Sequence, residues 1–471
     1  MNKTKVIATV GPVSSNKDVI KKLIESGVDV LRINMKHATY DFCDEIIKIV
    51  NELNKSLKTH VAIMFDLKGP IITVGRLLNE TAFYKKGDKI RIYTDDIVGD
   101  NTKFSISYSG ILEDVKYDSI IKTSNGEVAF KVLDKGKNYL LCEVVKEGMV
   151  GQNRSIMVPG IKLNLPFLDK KDIEDIKYAS NHGVDYISLS YVQSADNVLD
   201  VNDMLIGLGN DHISIIAKIE KESALVEIDE IIKSCEGVMV ARGDLGVELP
   251  LERIPGIQKM IINKCHKYGR MSIVATDLLE SMASSLEPTR AEVGDIANAV
   301  LDGVDAVLLS NETTIGLYPV ETIKTMEKII KAAENDVDYD SMLSKAIKNE
   351  NSDITSMIAY NVVESANRLE CKSIIAPTVS GYTARKISRF RPSCPIIAPT
   401  PDPETARLLS LQYGVVPVIV DELKTFDKII EHARKLTKEM LPMEKGDYYI
   451  ITGGYPFKGV KHTNFMKIEE I

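Results

Sequence analysis

Apolar runs with the character of buried strands alternate along most of the chain with amphipathic patterns typical of helices. The strand-like runs are KVIATVG, VDVLRINM, HVAIMFDL, VDYISLSYV, ISIIAKIE, GVMVARGDL, MSIVATDL and DAVLLSNET. Between them lie segments such as NKDVIKKLIESG and AEVGDIANAVLDG, with apolar residues at i, i+3 and i+4 and with glycine at their ends. Eight strand–helix units in about 335 residues predict a (β/α)8 TIM barrel, an α/β fold.

Two regions depart from this alternation. After FDLKGP, about ninety residues contain short β-rich runs and turn signals such as KKGD and SNGE, which predict a small inserted β-barrel. After a polar linker that begins DVDYDSM, helices and strands alternate again and predict a C-terminal doubly wound α/β domain. The predicted boundaries are residues 1–69 and 161–336 for the TIM barrel, 70–160 for the insertion and 337–471 for the C-terminal domain.

Composition narrows the class of protein. Of the 471 residues, 44% are hydrophobic and 27% are charged, which is typical of a soluble globular protein. The net charge of −8 and the lack of a dense Lys/Arg block argue against a nucleic-acid or membrane partner. No apolar run approaches the ~18 residues of a membrane span and MNKTKVIATV is unlike a signal peptide, so we expect a cytoplasmic protein. The six cysteines show neither CxxC pairs nor zinc spacing and are expected to be reduced core thiols.

Polar residues stand at the C-terminal ends of the predicted barrel strands, where the active site of such a barrel lies. They are Arg32, Asn34, Asp66, Lys68, Ser190, Lys218, Glu220, Arg242, Asp244, Thr276, Asp277, Ser310 and Glu312. Any one of them is equally well explained as an ion pair or a helix cap at a strand–loop junction. Their convergence from eight strands favours instead a site for an anionic substrate held together with a divalent metal.

The residue types at these strand ends suit phosphate chemistry. Glu220 and Asp244 fall on adjacent strands and would share one Mg²⁺, which takes one or two carboxylates and completes its octahedron with substrate oxygens and water. Arg32, Lys68 and Lys218 would then neutralise a phosphate or an enolate. The run RGDLG adds backbone N–H groups that would bind a carboxylate or a phosphate. Phosphoryl transfer needs mainly such positioning and charge stabilisation.

The motifs ATVGP, RINMKH, FDLKGP, IIAKIE, VARGDLG, ATDLLESM, PTRAEVGDIANAVLDG and LLSNETTIGLYP resemble those of the pyruvate kinase family, in the same order and over the whole chain. In the last domain SGYTARKISRFRP and YGVVPV resemble the family's effector domain. The resemblance implies a barrel, an inserted β domain acting as a lid, and a C-terminal effector and oligomerisation domain. It also implies transfer of phosphate from phosphoenolpyruvate to ADP, giving pyruvate and ATP, with Mg²⁺ or Mn²⁺, in a homotetramer.

The resemblance assigns roles residue by residue. Lys218 would stabilise the enolate and the moving phosphoryl group, and Glu220 and Asp244 would bind the divalent metal. The backbone at Gly243 and Asp244 would hold the substrate carboxylate, and Arg32 the substrate phosphate.

Further assignments concern proton transfer and the nucleotide. Thr276 would lie beside the carbon that the enolate protonates, Ser310 and Glu312 would belong to the proton relay, Asn34 and His37 would contact the nucleotide, and Arg154 would replace a lid lysine that binds nucleotide phosphates. Simpler interpretations remain for three of these residues. His37 would be a solvated loop histidine, Arg154 an exposed charge of the inserted domain, and Thr276 a strand-end hydroxyl that caps a helix.

The predicted monovalent-cation site departs from the family pattern of Asn, Ser, Asp and a Thr carbonyl. The corresponding residues are Asn34, Lys36, Asp66 and Leu67. We hypothesise that the Lys36 ammonium replaces K⁺, so that activity would not need this ion; the alternative is a lysine that extends from a loop into solvent. Ile71, in place of the family's acid, weakly supports the hypothesis.

Other departures put full activity in question. Thr73 stands where the family has an arginine that contacts the transferred phosphate, a loss worth about one to two decades in rate. Asp277, Asn311 and Asn164 also differ from the family residues. Besides an active enzyme, we therefore keep a low-activity paralogue that binds phosphorylated metabolites as a sensor. A barrel enzyme acting on a 2-oxo acid without phosphate is disfavoured by the nearly complete motif set.

A regulatory site is also predicted in the C-terminal domain. Thr378, Ser380, Gly381 and Thr383 resemble the effector-domain loop that binds phosphate, and a sugar phosphate is the expected ligand class. An ordinary helix N-cap is the alternative interpretation of this loop.

Overall fold

The computed structural model of the chain describes residues 2–123, 126–161, 163–347, 353–421, 425–455 and 462–471. Its strands and helices are numbered here in chain order. Eight parallel strands form a closed barrel: β1 (Lys5–Thr9), β2 (Val30–Asn34), β3 (Ala62–Asp66), β13 (Tyr186–Leu189), β14 (Ser214–Ile219), β15 (Gly237–Ala241), β16 (Met271–Ala275) and β17 (Ala306–Leu309). They neighbour one another in that order and β17 pairs with β1, so the predicted TIM barrel is confirmed.

Helices surround this barrel. They are α1 (Lys17–Glu25), α2 (Tyr40–Leu57), α4 (Lys170–Asn181), α5 (Ala195–Gly207), α6 (Glu222–Val226), α7 (Ile228–Ser234), α8 (Arg242–Glu248), α9 (Ile254–Tyr268), α10 (Arg290–Leu301), α11 (Asn311–Thr314) and α12 (Pro319–Glu334), with 3₁₀ turns at Leu251–Arg253 and Glu280–Ala283. Side chains start several of them: Asn16 accepts the Val19 N–H, and Thr289 forms a capping box with Glu292. Helix α8 begins directly where β15 ends, which places its first turn at the barrel's C-terminal end.

The insertion after β3 is a small β-barrel, as predicted. Its elements are β4 (Ile72–Thr73), β5 (Thr81–Tyr84), β6 (Lys89–Tyr93), β7 (Lys103–Ser105), α3 (Ile111–Asp114), β8 (Ile120–Thr123), β9 (Val128–Lys135), β10 (Tyr139–Lys146), β11 (Gly148–Gly151) and β12 (Ser155–Met157). Seven strands form a sheet in the order β4-β12-β8-β9-β10-β6-β7, and β5 pairs with β11. A bridge from Val74 to Ile106 joins the two outer strands of the seven, which closes the sheet.

The C-terminal domain has a sheet covered on both faces, which confirms a doubly wound fold. Its elements are α13 (Tyr339–Ile347), α14 (Ile354–Arg368), β18 (Ser373–Ile375), α15 (Tyr382–Ser388), β19 (Ile396–Thr400), α16 (Pro403–Leu409), β20 (Val415–Ile419), α17 (Phe426–Met440), β21 (Tyr448–Gly453) and β22 (Phe465–Glu470). The strand order is β20-β19-β18-β21-β22, with β22 antiparallel to β21. Ile374 packs on the face with Val362 of α14, and Ile375 on the opposite face with Ala433 of α17.

One expectation about this domain was wrong. The segment that opens it was expected to be a polar linker, but Tyr339–Ile347 is helical because Leu343 packs into the core that contains Val362 and Val363. Residues 348–352 of that segment lie outside the described part of the chain. The domain boundaries themselves stay predictions.

The C-terminal domain covers the end of the barrel at which the strands begin. The Arg391 guanidinium donates to both carboxylate oxygens of Asp305 at 2.8 and 2.7 Å, and Arg407 donates to Asp185 at 2.7 Å. The inserted domain lies at the opposite end, where the Lys122 ammonium donates to the Val247 carbonyl of α8. All six cysteines are buried free thiols. Among the residues described, no helix is long and apolar enough to cross a membrane.

Candidate active site

Lys218 lies at the C-terminal end of β14, with its ammonium in a pocket of oxygen atoms. Nζ is 2.8 Å from Ser190 Oγ, 2.9 Å from Glu220 Oε1 and 3.3 Å from Asp66 Oδ1. Burial alone would lower the pKa of Lys218, but the carboxylates of Asp66 and Glu220 raise it above the ordinary value. The lysine is therefore charged, and its position two residues before Glu220 on one strand puts both side chains on the same face.

Asp66 connects Lys218 to Arg32. Its Oδ2 accepts from Nε of Arg32 at 2.7 Å and also from Nη2, and its Oδ1 accepts from the Ser188 hydroxyl at 2.8 Å. Burial alone would raise the pKa of Asp66, but Arg32 and Lys218 lower it below the ordinary value. The remaining Nη1 of Arg32 donates to Thr9 Oγ1 at 2.9 Å, which fixes the guanidinium plane.

Glu220 and Asp244 form a pair of carboxylates suited to a divalent ion. The buried Glu220 accepts the Tyr191 N–H at 2.6 Å through the oxygen that Lys218 does not contact. Burial raises the pKa of Glu220, the charge of Asp244 adds to this increase, and Lys218 opposes it. The Asp244 carboxylate has neither a hydrogen bond nor an ion pair within the described residues. A cation between the two carboxylates would relieve their mutual repulsion, so the donor set fits Mg²⁺.

The described part of the chain contains no group of three or more His, Cys, Asp or Glu side chains that could hold a metal ion. A metal at Glu220 and Asp244 would thus complete its shell with substrate oxygens and water, as Mg²⁺ commonly does.

The first turn of α8 meets the end of β16. The Gly243 N–H donates to Thr276 Oγ1 at 2.8 Å, and that hydroxyl donates to the Ala275 carbonyl at 2.6 Å. Thr276 and Asp277 both have positive φ, at 72° and 54°. This turn brings the predicted substrate donor and the predicted proton-transfer hydroxyl into contact.

Arg242 binds the backbone behind Thr276, a contact that sequence reasoning missed. Its guanidinium donates to the Thr276 carbonyl at 3.2 and 2.6 Å, to the Asp277 carbonyl at 3.1 Å and to Asp295 of α10 at 2.5 Å. The sequence signal for Arg242 was its place at a strand end; Asp295, inside a helix, offered none.

Glu312 is buried at the end of β17 and is held by backbone donors. It accepts the N–H of Ser310 at 2.8 Å and that of Leu279 at 3.2 Å. Burial raises the pKa of Glu312, so this carboxyl holds its proton at a higher pH than an exposed glutamate. The neighbouring Asn311 side chain donates to Glu280 at 3.0 Å.

Asn34 ends β2, and Lys36 and His37 follow it in an exposed loop. Asn34 Oδ1 accepts the Lys36 N–H at 3.1 Å. Among the residues described, the Lys36 ammonium has no hydrogen-bond or ion-pair partner. Desolvation lowers the pKa of Lys36, Asp244 opposes this, and Arg154 of the inserted domain is among the cations that reinforce it. Desolvation and then Lys36 lower the pKa of His37. The charges of Asp244 and Arg154 therefore act on Lys36, and the charge of Lys36 acts on His37.

The other predicted monovalent-cation ligands are engaged within the protein. The Leu67 carbonyl accepts the Ser190 hydroxyl at 2.8 Å, and Asp66 binds Arg32 and Lys218.

Lys68, which the sequence placed among the substrate cations, pairs with Asp169 at 2.8 Å. Beside it the buried Asp172 accepts the Gly69 N–H at 3.1 Å. Burial raises the pKa of Asp172 to about 6. The two carboxylates at the start of α4 thus hold both chain segments that connect the barrel to the insertion. The signal for them was the DKKD capping pattern.

Two departures from the family pattern lie at or near the junction between the insertion and the barrel. Ile71 packs in an apolar cluster with Met157, Tyr191 and Val247 at the junction between insertion and barrel. Thr73 lies in β4, where its N–H donates to Ser107 Oγ at 2.9 Å.

The predicted effector loop precedes α15. Gly381 is the N-cap of that helix and has a φ of 77°, so no hydroxyl of the loop supplies the cap. Thr383 is buried, with its hydroxyl 2.9 Å from that of Thr463, and the Ser380 carbonyl accepts from Arg385 at 2.9 Å. The Thr378 N–H donates to Pro399 at 2.9 Å.

Comparison with known proteins agrees with this geometry. Residues 1–323 match the family model for the pyruvate kinase barrel domain, and residues 356–469 match the pyruvate kinase alpha/beta domain. A pyruvate kinase of Clostridium perfringens is 38% identical over 474 residues, covering 100% of both chains. One of Staphylococcus saprophyticus is 38% identical over 99% of this chain and 80% of its own. The crystal structure of a pyruvate kinase from Cryptosporidium parvum superimposes with a TM-score of 0.94 at 35% identity, covering 100% of this chain and 96% of that one.

Proposed function

Because the chain belongs to the pyruvate kinase family, we propose that it transfers phosphate from phosphoenolpyruvate to ADP, giving pyruvate and ATP, and that it does so without K⁺. The observation that carries the first part is the buried, charged Lys218 between Asp66 and Glu220, near the carboxylate of Asp244, which has no partner among the residues that the structure describes. The Lys218 ammonium concentrates positive charge at one position of the site, and the carboxylates of Glu220 and Asp244 can bind a metal beside it.

Substrate binding uses groups that the structure orients towards one another. Arg32 neutralises the phosphate, and its plane is fixed by Asp66 and Thr9. The backbone N–H groups of Gly243 and Asp244, in the first turn of α8, bind the carboxylate. The Gly243 N–H donates to Thr276 Oγ1 at 2.8 Å.

Glu220 and Asp244 hold Mg²⁺ or Mn²⁺. The ion, when bound, supplies positive charge to the phosphate and enolate oxygens. Lys218 stabilises the negative charge that develops on the enolate oxygen as its bond to phosphorus breaks and the new bond to the ADP oxygen forms. In this proposal Asn34, His37 and Arg154 contact the nucleotide, supported by the charge of Arg154 acting on Lys36 and that of Lys36 acting on His37.

The reaction ends with protonation of the enolate at C3. Thr276 contacts that carbon, and the buried Glu312, whose pKa is raised by burial, is suited to hold a proton in the relay with Ser310.

Independence from K⁺ rests on Lys36. Its ammonium is unpaired among the described residues and interacts electrostatically with Asp244. Two of the oxygen atoms expected to bind K⁺ accept hydrogen bonds within the protein: Asn34 Oδ1 from the Lys36 N–H and the Leu67 carbonyl from the Ser190 hydroxyl. The lysine therefore provides the positive charge that the family takes from the ion.

A potassium titration tests this proposal. We expect pyruvate formation with Mg²⁺ in a buffer free of Na⁺ and K⁺ to change less than twofold on addition of K⁺. Lys36→Ser restores the hydroxyl ligand of the family, so this variant should become slower without K⁺ and recover roughly tenfold with it, the range of one lost charge interaction. Strong activation of the unmodified chain by K⁺ would contradict the role of Lys36.

The second candidate function is a low-activity paralogue that senses phosphorylated metabolites. It is favoured by Thr73, whose short neutral side chain in β4 replaces the phosphate-binding arginine. This candidate predicts that the folded protein binds phosphoenolpyruvate but forms no more pyruvate than a Lys218→Met variant.

Regulation belongs to the same proposal. A sugar phosphate would bind the loop that contains Thr378, Ser380, Gly381 and Thr383, and the chain would assemble as a homotetramer. Titration with fructose phosphates at subsaturating phosphoenolpyruvate tests the first point, and light scattering at several concentrations tests the second.

A further inference from the structure

The end of β16 has an unusual backbone conformation. Thr276 and Asp277 have φ values of 72° and 54°, and in the described chain no other two adjacent non-glycine residues both have positive φ. This conformation is unfavourable for any residue with a Cβ and most of all for a β-branched threonine, at a cost of roughly 1–3 kcal/mol per residue. Such a conformation persists only where the surroundings impose it.

Arg242 imposes it. Two of its nitrogens donate to the Thr276 carbonyl, and one of these also donates to the Asp277 carbonyl. The remaining Nη1 is held by Asp295, on a helix outside the turn. The guanidinium is a rigid planar fork, so fixing one edge to α10 fixes the direction in which the other edge binds the two carbonyls.

The result of this conformation is the position of one hydroxyl. Thr276 Oγ1 lies 2.8 Å from the Gly243 nitrogen, next to the donors that bind the substrate carboxylate in the proposed function. Gly243 follows Arg242 directly, so the arginine side chain and the adjacent backbone bind opposite sides of the same threonine.

From this arrangement we infer that Arg242 is a positioning residue for protonation of the enolate. The inference rests on the proposed function. In that step a proton from solvent is added to C3 next to Thr276, the electron pair of the enolate forms the new C–H bond, and the C–O bond becomes the ketone of pyruvate. Arg242 does not give the proton, because a guanidinium does not deprotonate in proteins. It holds Thr276 where the proton is delivered.

Arg242→Lys tests the inference, since lysine keeps the charge but lacks the fork. The measurement is exchange of the pyruvate methyl protons with D₂O, followed by ¹H NMR with Mg²⁺ and ATP present, beside ATP formation from phosphoenolpyruvate. We expect exchange to fall about 100-fold, the effect of a misplacement of about 1 Å, while the KM for phosphoenolpyruvate changes less than threefold.

Asp277→Gly supplies a rescue that a merely structural arginine would not show. Glycine adopts positive φ without steric cost, so Asp277→Gly in the Arg242→Lys background should regain about tenfold in exchange relative to Arg242→Lys alone. Asp295→Asn, a milder change, should lower exchange three- to tenfold.

The possible results distinguish a failure of the proposed function from a failure of the role inferred for Arg242. An unmodified protein that forms no ATP would overturn the proposed function and this inference with it. If the unmodified protein is active but folded Arg242→Lys exchanges the methyl protons equally fast, or if Asp277→Gly restores nothing, the inference about Arg242 is overturned alone.

Discussion

The two ends of the barrel both carry buried charges, but they pair them differently. At the end where the strands begin, Asp305 is bound by both guanidinium nitrogens of Arg391 and by the Ser272 N–H, and Asp185 is bound by Arg407 and by the Ile63 N–H. Each of these two carboxylates has its own cation and its own backbone donor. These ion pairs join the C-terminal domain to the barrel.

At the end where the strands finish, charge pairing is incomplete. Glu220 shares the Lys218 ammonium with Asp66, while Asp244 and Lys36 have no partner among the residues that the structure describes. The comparison teaches that convergence of charge at a barrel end does not by itself indicate function. Incomplete pairing beside a buried ion pair at the C-terminal ends of the strands favours a functional interpretation, because a metal or an anionic ligand would bind there.

The largest expected effect concerns the central lysine. Lys218→Met should lower kcat by roughly 10³-fold or more, about 4 kcal/mol, because the developing enolate charge loses its cation. The matched control is Lys5→Met at the other end, which removes a lysine paired with Asp29 and should keep activity within threefold. Steady-state kinetics on both variants, with circular dichroism to verify folding, decides the point. Equal losses would mean that the two ends do not differ in function.

The next largest expected effect concerns stability at the end of the barrel where the strands begin. Arg391→Met should destabilise the protein by roughly 3–5 kcal/mol, because the buried Asp305 carboxylate is left without its cation. Arg434→Met removes an exposed partner of Glu469 in the same domain and should leave the urea midpoint nearly unchanged. Urea unfolding measures both, and kinetics on the folded fraction of Arg391→Met should show activity within threefold of the parent. A large loss of kcat there would show that this end also takes part in catalysis.

The smallest expected effect concerns the pH dependence of stability at Glu327, a poorly paired carboxyl group at the end of the barrel where the strands begin. Glu327 borders a cavity of about 340 Å³ near Asp29 and Lys5, and burial, then Asp29, raise its pKa from 4.5 to about 8. Because the folded-state pKa is raised, this group's contribution to stability is complete below about pH 4.5 and is lost as the pH rises through about 8. Glu327→Gln should therefore melt roughly 2–4 °C above the parent at pH 8.5 and near it at pH 5.

Melting curves of the parent and of Glu327→Gln across this pH range provide the check. A difference in melting temperature that does not vary with pH would show that Glu327 titrates as an ordinary exposed glutamate.

The fold was largely readable from the sequence because the barrel repeats one local pattern. Every buried strand run ends in a polar group, and parallel strands bring those ends together whatever the loops do. Helix α13 was missed because its few apolar residues stand in a largely polar segment, and the burial of Leu343 depends on the neighbouring α14.

The candidate site was readable only in its strand-end residues. Lys218 and Glu220 lie two apart on one strand, a spacing visible in the sequence. The contacts of Arg242 with Asp295 and of Lys68 with Asp169 join residues 53 and 101 positions apart, and no periodicity predicts which partner a charge will find. The left-handed backbone at Thr276 was equally hidden, because threonine is a residue that normally avoids it.

The central claim is that the incompletely paired end of the barrel transfers phosphate. ³¹P NMR of the unmodified protein with phosphoenolpyruvate, ADP and Mg²⁺, in a buffer without Na⁺ or K⁺, tests it most directly. The account predicts that the phosphoenolpyruvate resonance declines while the γ-phosphate resonance of ATP rises by the same amount, and that Lys218→Met shows neither change. A folded, unmodified protein that leaves the phosphoenolpyruvate resonance unchanged, or that converts it to inorganic phosphate, would contradict the account.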